Sequence, residues 1–157
     1  MKKGELLSLA IITATTGHNG QYDKQKQPYI LHPLKVMHYL KKSYQDEELM
    51  CIALLHDIVE DTELTISDLK QMGFTDRICQ GVYNLTKYDN EPEEDYKNKV
   101  KSSLDSVIVK LADIRHNTDI RRSKSLSEKH FDKLKHYYKF YVELTEQYFV
   151  FTGKEFN

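Results

Sequence analysis

Apolar residues recur at helical spacing along most of the chain. Leu6, Ala10, Ile11 and Ala14 share one face and predict a first helix over residues 4–16, stopped by Gly17-His18-Asn19-Gly20. A polar loop follows to Pro28. The Pro33 ring suits the first turn of a second helix, whose inner face is Leu34, Val36, Met37 and Leu40. Asp46-Glu47-Glu48 is an acidic start for a third helix running to about Val59. From Met50 to Leu55 that helix is apolar on nearly every side, which places it in the middle of a bundle. Thr65 caps a short helix, with Asp68 three residues on, and Gly73 ends it. Another helix runs from Thr75 to Thr86 through Ile78, Val82 and Leu85. Residues 88–95 are polar and acidic and read as a loop, while Pro92 to about Lys101 is compatible with helix. Ser125 or Ser127 to Phe151 predicts one long, aromatic-rich helix.

The ambiguous run is Val107, Ile108, Val109, Leu111 and Ala112. Its β-branched residues favour a strand by propensity. A lone strand would find no partner elsewhere in the chain, so helix is the consistent choice. The expectation is an all-α protein, a helical bundle of about seven or eight helices in one domain over residues 1–157. No internal repeat, low-complexity tract or linker divides it.

Several apolar runs end in chemistry. Leu54-Leu55-His56-Asp57-Ile58-Val59-Glu60-Asp61-Thr62 sets a polar cluster at the end of an apolar helix, where burial is costly unless something pairs with the charges. A metal ion is one such compensation. Adjacent residues on a helix point about 100° apart, so His56 and Asp57 cannot complete a site alone. His32, where a loop enters a helix, and Asp113, at the end of another apolar run, are the outside candidates. Singly, each has an ordinary structural reading: a hydrogen-bonded pair, a helix-start histidine, a cap, a solvated helix end for Glu60 and Asp61. Together, two imidazoles and two carboxylates make a mixed nitrogen and oxygen set. Such a set suits one divalent ion of Mn, Fe, Co, Ni or Zn better than Mg or Ca. An ion there would polarise a phosphate oxygen and lower the pKa of a water.

These pieces resemble the HD-domain (p)ppGpp hydrolases, namely the hydrolase half of the long RelA/SpoT-type enzymes and the small alarmone hydrolases. The matching segments are His18-x-Gly20-Gln21, Pro28-Tyr29-Ile30-x-His32-Pro33, Ala53-Leu54-Leu55-His56-Asp57-x-Val59-Glu60-Asp61-Thr62, Leu85-Thr86-Lys87, and Lys110-Leu111-Ala112-Asp113 with His116-Asn117. They come in family order over residues 6–148. The resemblance implies the HD-domain helical fold, usually Mn, and hydrolytic removal of the 3′-pyrophosphate of guanosine tetra- or pentaphosphate. It implies His32, His56, Asp57 and Asp113 as metal ligands and Glu60 and Asp61 as the acidic pair that handles water and protons. Asn117 and Lys24 match nucleotide-contacting positions, and Tyr137 or Tyr138 falls on a pocket-lining helix. Two positions depart from the pattern. Asp23 stands where the family has an arginine expected to clamp the nucleotide. Ile114 stands where it has an arginine after the metal-binding aspartate, with Arg115 one position later. A phosphohydrolase for another nucleotide, or a metal-binding regulatory module without turnover, are the competing readings.

Basic residues near the motifs, Lys24, Lys26, Lys87, Lys110, Arg115, Arg121 and Arg122, can neutralise phosphate, with Lys24 and Lys87 the better placed in sequence. His18 is expected to hold the Gly20 turn or a pocket wall, and His116 to buttress the metal ligands through a hydrogen bond. The net charge of −1 calls for neither a nucleic-acid nor a membrane partner. The small-molecule nucleotide is the partner expected, and no feature sets an oligomeric state. The two cysteines make no disulfide framework, which fits a cytoplasmic location. The run Leu6 to Ala14 is too short and too interrupted for a signal peptide. No stretch approaches the roughly 18 apolar residues of a membrane span.

Overall fold

The computed structural model describes residues 4–122 and 127–156. It consists of α1 (Glu5–Gly17), α2 (Leu31–Lys41), α3 (Glu47–Leu55), α4 (Ile58–Asp61), α5 (Ile66–Gln71), α6 (Asp76–Leu85), α7 (Glu93–Lys101), α8 (Leu104–Asn117) and α9 (Glu128–Thr152), with a 3-10 turn at Ile120–Arg122 before α9. The expectation of an all-α bundle is met. Among the described residues the sole β-type pairing is an isolated antiparallel bridge between Tyr22 and Pro28. No helix among them is long and apolar enough to cross a membrane.

α3 is the central rod. Leu49 to Leu55 are all buried, and α1, α2, α6 and α8 pack around it. Asp46 caps it by accepting from the Leu49 amide. Glu47 reaches back to accept from the Gly4 and Leu7 amides, so the start of α3 also caps α1. Arg77 on α6 ties these helix starts together: its guanidinium donates to Asp46, Glu48 and Asp105, the last on the first turn of α8. Burial pushes the Cys51 thiol up to about 12, with Glu47 adding to the effect, so it acts as a packed hydrophobe.

α6 crosses α3 closely because Gly81 carries no side chain. A β-carbon there would lie 2.6 Å from Ile52 Cδ1 and 2.9 Å from its Cγ1. Gly81→Ala should therefore overpack the core and cost about 1–3 kcal/mol in urea unfolding. A cost below 0.5 kcal/mol would mean that Ile52 swings aside freely.

Several local expectations hold. Thr65 and Asp68 form a reciprocal capping box, and Gly73 follows α5 at φ +98°. Val107 to Ala112 are helical: Ser103 caps α8 through the Ser106 amide, and the β-branched run is buried on the bundle side. Ser127 caps α9, while the alternative start at Ser125 lies outside the described residues. One expectation fails. The third helix does not continue to Val59 but breaks at His56-Asp57, and α4 restarts at Ile58. Asp57 takes φ −100° and ψ −4°, a conformation that turns the chain rather than continuing a helix. Counting α3 and α4 as that one interrupted helix leaves eight helices among the described residues.

Candidate metal centre and its cavity

The break in α3 is what lets two neighbouring residues serve one point. His56 closes α3, and its Nδ1 donates to the Ala53 carbonyl at 2.8 Å. That fixes the ring with Nε2 facing away from the helix. Asp57 then turns so that its Oδ2 lies 3.0 Å from His56 Nε2. From the first turn of α2, His32 brings its Nε2 to 3.3 Å from His56 Nε2, 3.4 Å from Asp57 Oδ2 and 3.1 Å from Asp113 Oδ1. Asp113 comes from the middle of α8. His32, His56 and Asp113 are buried and offer donor atoms all within 4.8 Å of one another.

Two imidazole nitrogens with two carboxylate oxygens at 3.0–3.8 Å from them is an arrangement of electron pairs that needs positive charge between them. An ion bonded at about 2.1 Å sets two donors about 3.0 Å apart at a right angle and about 3.4 Å apart at the tetrahedral angle. The separations among His32 Nε2, His56 Nε2 and Asp113 Oδ1 run from 3.1 to 3.8 Å, below the about 4.2 Å that opposite ligands of such an ion reach, so these three residues fit a divalent ion, and Asp57 Oδ2 stands beside both imidazole nitrogens. Without one, protons fill the role. Burial alone would lower both histidine pKa values, but Asp57 and Asp113 outweigh it and raise them, His56 most strongly. Burial would likewise raise the two aspartates. Lys110 and the histidines hold Asp113 well below the usual carboxylate range, and the histidines do the same for Asp57.

A surrounding layer orients the four. His32 Nδ1 and His116 Nδ1 share a hydrogen bond at 2.7 Å, with His32 the donor whenever its Nε2 holds an ion. Burial, reinforced by Arg122 and His32, lowers the His116 pKa to about 4, so it is a neutral acceptor at pH 7. This is the buttress expected of His116. Lys110 Nζ bonds Asp113 Oδ2 at 2.8 Å and Asn117 Nδ2 donates to Asp113 Oδ1 at 2.5 Å, all three on α8. The Tyr29 hydroxyl donates to Asp57 Oδ2 at 2.7 Å. His18 Nδ1 donates to Gln21 Oε1, and Gln21 Nε2 donates to the Asp61 carbonyl, so His18 braces the loop against α4.

The cluster opens into a cavity of about 630 Å³. Glu60 and Asp61 line it from α4, and the Lys87 amide donates to Glu60 Oε2 at 2.9 Å. Desolvation by the cavity walls raises both carboxyl pKa values, and the Asp57 charge raises them further. Lys24, Lys87, Asn117 and Tyr137 line the same space. Arg115 does not. It lies two residues beyond Asp113, about 200° around the helix, and stacks 4.3 Å over the Tyr39 ring on the far side of α8. Lys110 lines the cavity with its ammonium paired to Asp113 Oδ2, as Lys87 does with its ammonium paired to Glu93 Oε2 at 2.7 Å. Tyr29 stands in the segment that carries His32, three residues before it, and the sequence gives no sign of its bond to Asp57. Lys110 could have been read from its i,i+3 spacing to Asp113.

A family model described as HD domain matches residues 10–130. The chain belongs to the HD domain family. Among relatives of this HD domain, the bifunctional (p)ppGpp synthase/hydrolase SpoT of Escherichia coli (strain K12) is 30% identical over 122 residues, covering 71% of this chain and 17% of that protein. The guanosine-3′,5′-bis(diphosphate) 3′-pyrophosphohydrolase of Aquifex aeolicus (strain VF5) is 34% identical over 104 residues, covering 61% of this chain and 15% of that one. The matched part is thus about a sixth of these relatives' length. A solved structure of a metazoan ortholog of SpoT that hydrolyzes ppGpp and plays a role in starvation responses superposes with a TM-score of 0.76. Its sequence is 24% identical, and the match covers 92% of this chain and 87% of that chain. That likeness concerns the fold of the HD domain.

Proposed function

We propose that this HD domain is a divalent-metal-dependent phosphohydrolase that removes the 3′-pyrophosphate of guanosine tetra- or pentaphosphate. The observation that carries the proposal is the convergence of His32, His56 and Asp113, with Asp57 beside both imidazoles, at a cavity that His32, Asp57, Asp113, Glu60 and Asp61 line. His32, His56, Asp57 and Asp113 are the proposed ligands, and Mn is the proposed ion. When bound, the ion supplies Lewis acidity that polarises a phosphate oxygen and favours ionisation of water. The remaining work falls to the chain. Glu60 and Asp61, with pKa values raised by desolvation and the Asp57 charge, hold the attacking water and take its proton. His116, Lys110 and Tyr29 keep the ligand atoms aimed. Lys24, Lys87, Asn117 and Tyr137 contact the nucleotide from the cavity wall.

The names of the relatives support the alarmone as substrate. One observation favours a second reading, a phosphohydrolase for a different nucleotide: Asp23 is an acid in a cavity wall where the resemblance calls for arginine. Protein loaded with Mn and offered ppGpp, NADPH and nucleoside mono- and triphosphates separates the readings. The expected result is pyrophosphate release from ppGpp. Phosphate release from the other nucleotides with ppGpp untouched supports the second reading. Bound metal with every substrate inert makes the domain a regulatory module.

A further inference from the structure

The acidic cluster faces a basic wall of which the proposed function uses only Lys24. Lys24 from the loop after α1, Arg122 from the 3-10 turn and Lys133 from the second turn of α9 all line the 630 Å³ cavity. Each comes from a different segment, so their meeting is a product of the fold. Lys24 and Lys133 have no carboxylate within 4.0 Å among the described residues. The Lys133 ammonium has its pKa lowered by partial burial and then by Lys24 and Arg122, so the three charges are close enough to repel.

Arg122 is the fixed member. Its Nη2 pairs with Asp23 Oδ2 at 3.2 Å, and its Nη1 donates to the His116 carbonyl at 3.1 Å. Asp23 is itself held, because its Oδ1 accepts from the Gln25 and Gln27 amides at 2.8 and 2.9 Å. The residue that looks out of place in a phosphate cavity therefore anchors a guanidinium to that cavity's wall.

We propose that Arg122, Lys133 and Lys24 form a subsite for a second phosphate group of the same ligand, apart from the phosphate that meets the metal cluster. The ligand class is a nucleotide phosphorylated at two positions of its ribose. A planar guanidinium pre-set by two anchors gives bidentate recognition of phosphate oxygens, and the two lysines supply adaptable charge. Asp23 is a positioning residue that acts through Arg122. This inference rests on the proposed phosphohydrolase activity, and it names which end of the substrate the basic wall holds.

Two measurements test it. In the first, GDP is titrated calorimetrically into metal-free protein at low salt, so that the 5′-diphosphate is the probe and turnover plays no part. Arg122→Ala and Lys133→Ala should each weaken binding roughly tenfold, and Arg122→Lys should weaken it less. In the second, Mn-loaded protein is given ppGpp and its analogue with a 5′-hydroxyl. Arg122→Ala should raise KM for ppGpp roughly tenfold and leave KM for the analogue unchanged. Equal GDP binding by wild type and variants, or KM rising alike for both substrates, overturns the subsite. An inert wild type would defeat the proposed activity, while the GDP titration still decides the subsite. Should Arg122→Ala fail to fold, the exposed Lys133→Ala carries both measurements.

Discussion

Asp113→Ala should abolish metal binding and cost about 3–5 kcal/mol of folding stability in the metal-free protein. The two losses have different origins. Metal binding goes because Asp113 Oδ1 is one of three buried converging donors, 3.1 Å from His32 Nε2. Stability goes because Asp113 Oδ2 is the carboxylate partner of Lys110, whose side chain is 16% exposed. Removing it strands an ammonium in the wall of α8. The double variant Asp113→Ala/Lys110→Met separates the effects: it should recover most of the stability and none of the metal affinity. Urea unfolding and Mn titration of both variants make the check. If the single variant loses less than 1 kcal/mol, the Lys110–Asp113 pair does not hold this end of α8 together.

The second large effect concerns turnover alone. Glu60→Gln and Asp61→Asn should each cut kcat by about 10²–10⁴ while leaving metal affinity within a few-fold, since general acid–base groups contribute on that scale. Both residues line the cavity, neither is among the converging donors, and both amides are close in size to the acids they replace. Asp61→Asn also leaves the Asp61 carbonyl free to accept from Gln21, so the loop that Gln21 braces should stay in place. Full activity in Asp61→Asn would leave Glu60 as the sole proton acceptor. Loss of metal in either variant would place that carboxylate among the ligands.

Much of this was legible because local rules and global packing agreed. The Thr65–Asp68 capping box, the Gly73 stop and the fully apolar run of α3 are short-range signals, and all appear where expected. Val107 to Ala112 needed a tertiary argument, the absence of a strand partner, to overrule propensity. Of the three grouped donors, His56 and Asp113 could be named because each ends an apolar run, where an uncompensated polar group is costly, and His32 because it stands where a loop enters a helix. What stayed hidden depends on rotation and on distant segments. The break at His56-Asp57 comes from one backbone angle and has no Gly or Pro to announce it. Arg115 looks near Asp113 in sequence yet faces the opposite side of its helix. Asp23 and Arg122 are 99 positions apart, and only the fold shows that each explains the other.

Helix α8 carries both Asp113 and His116, and the two meet opposite faces of the same imidazole's chemistry: Asp113 beside His32 Nε2, His116 against His32 Nδ1. A slide of α8 along α2 by a single turn, about 5.4 Å, would uncouple both nitrogens in one stroke. Metal capture is therefore a gauge of whether these two helices are in register, and a half-docked α8 should hold no ion at all.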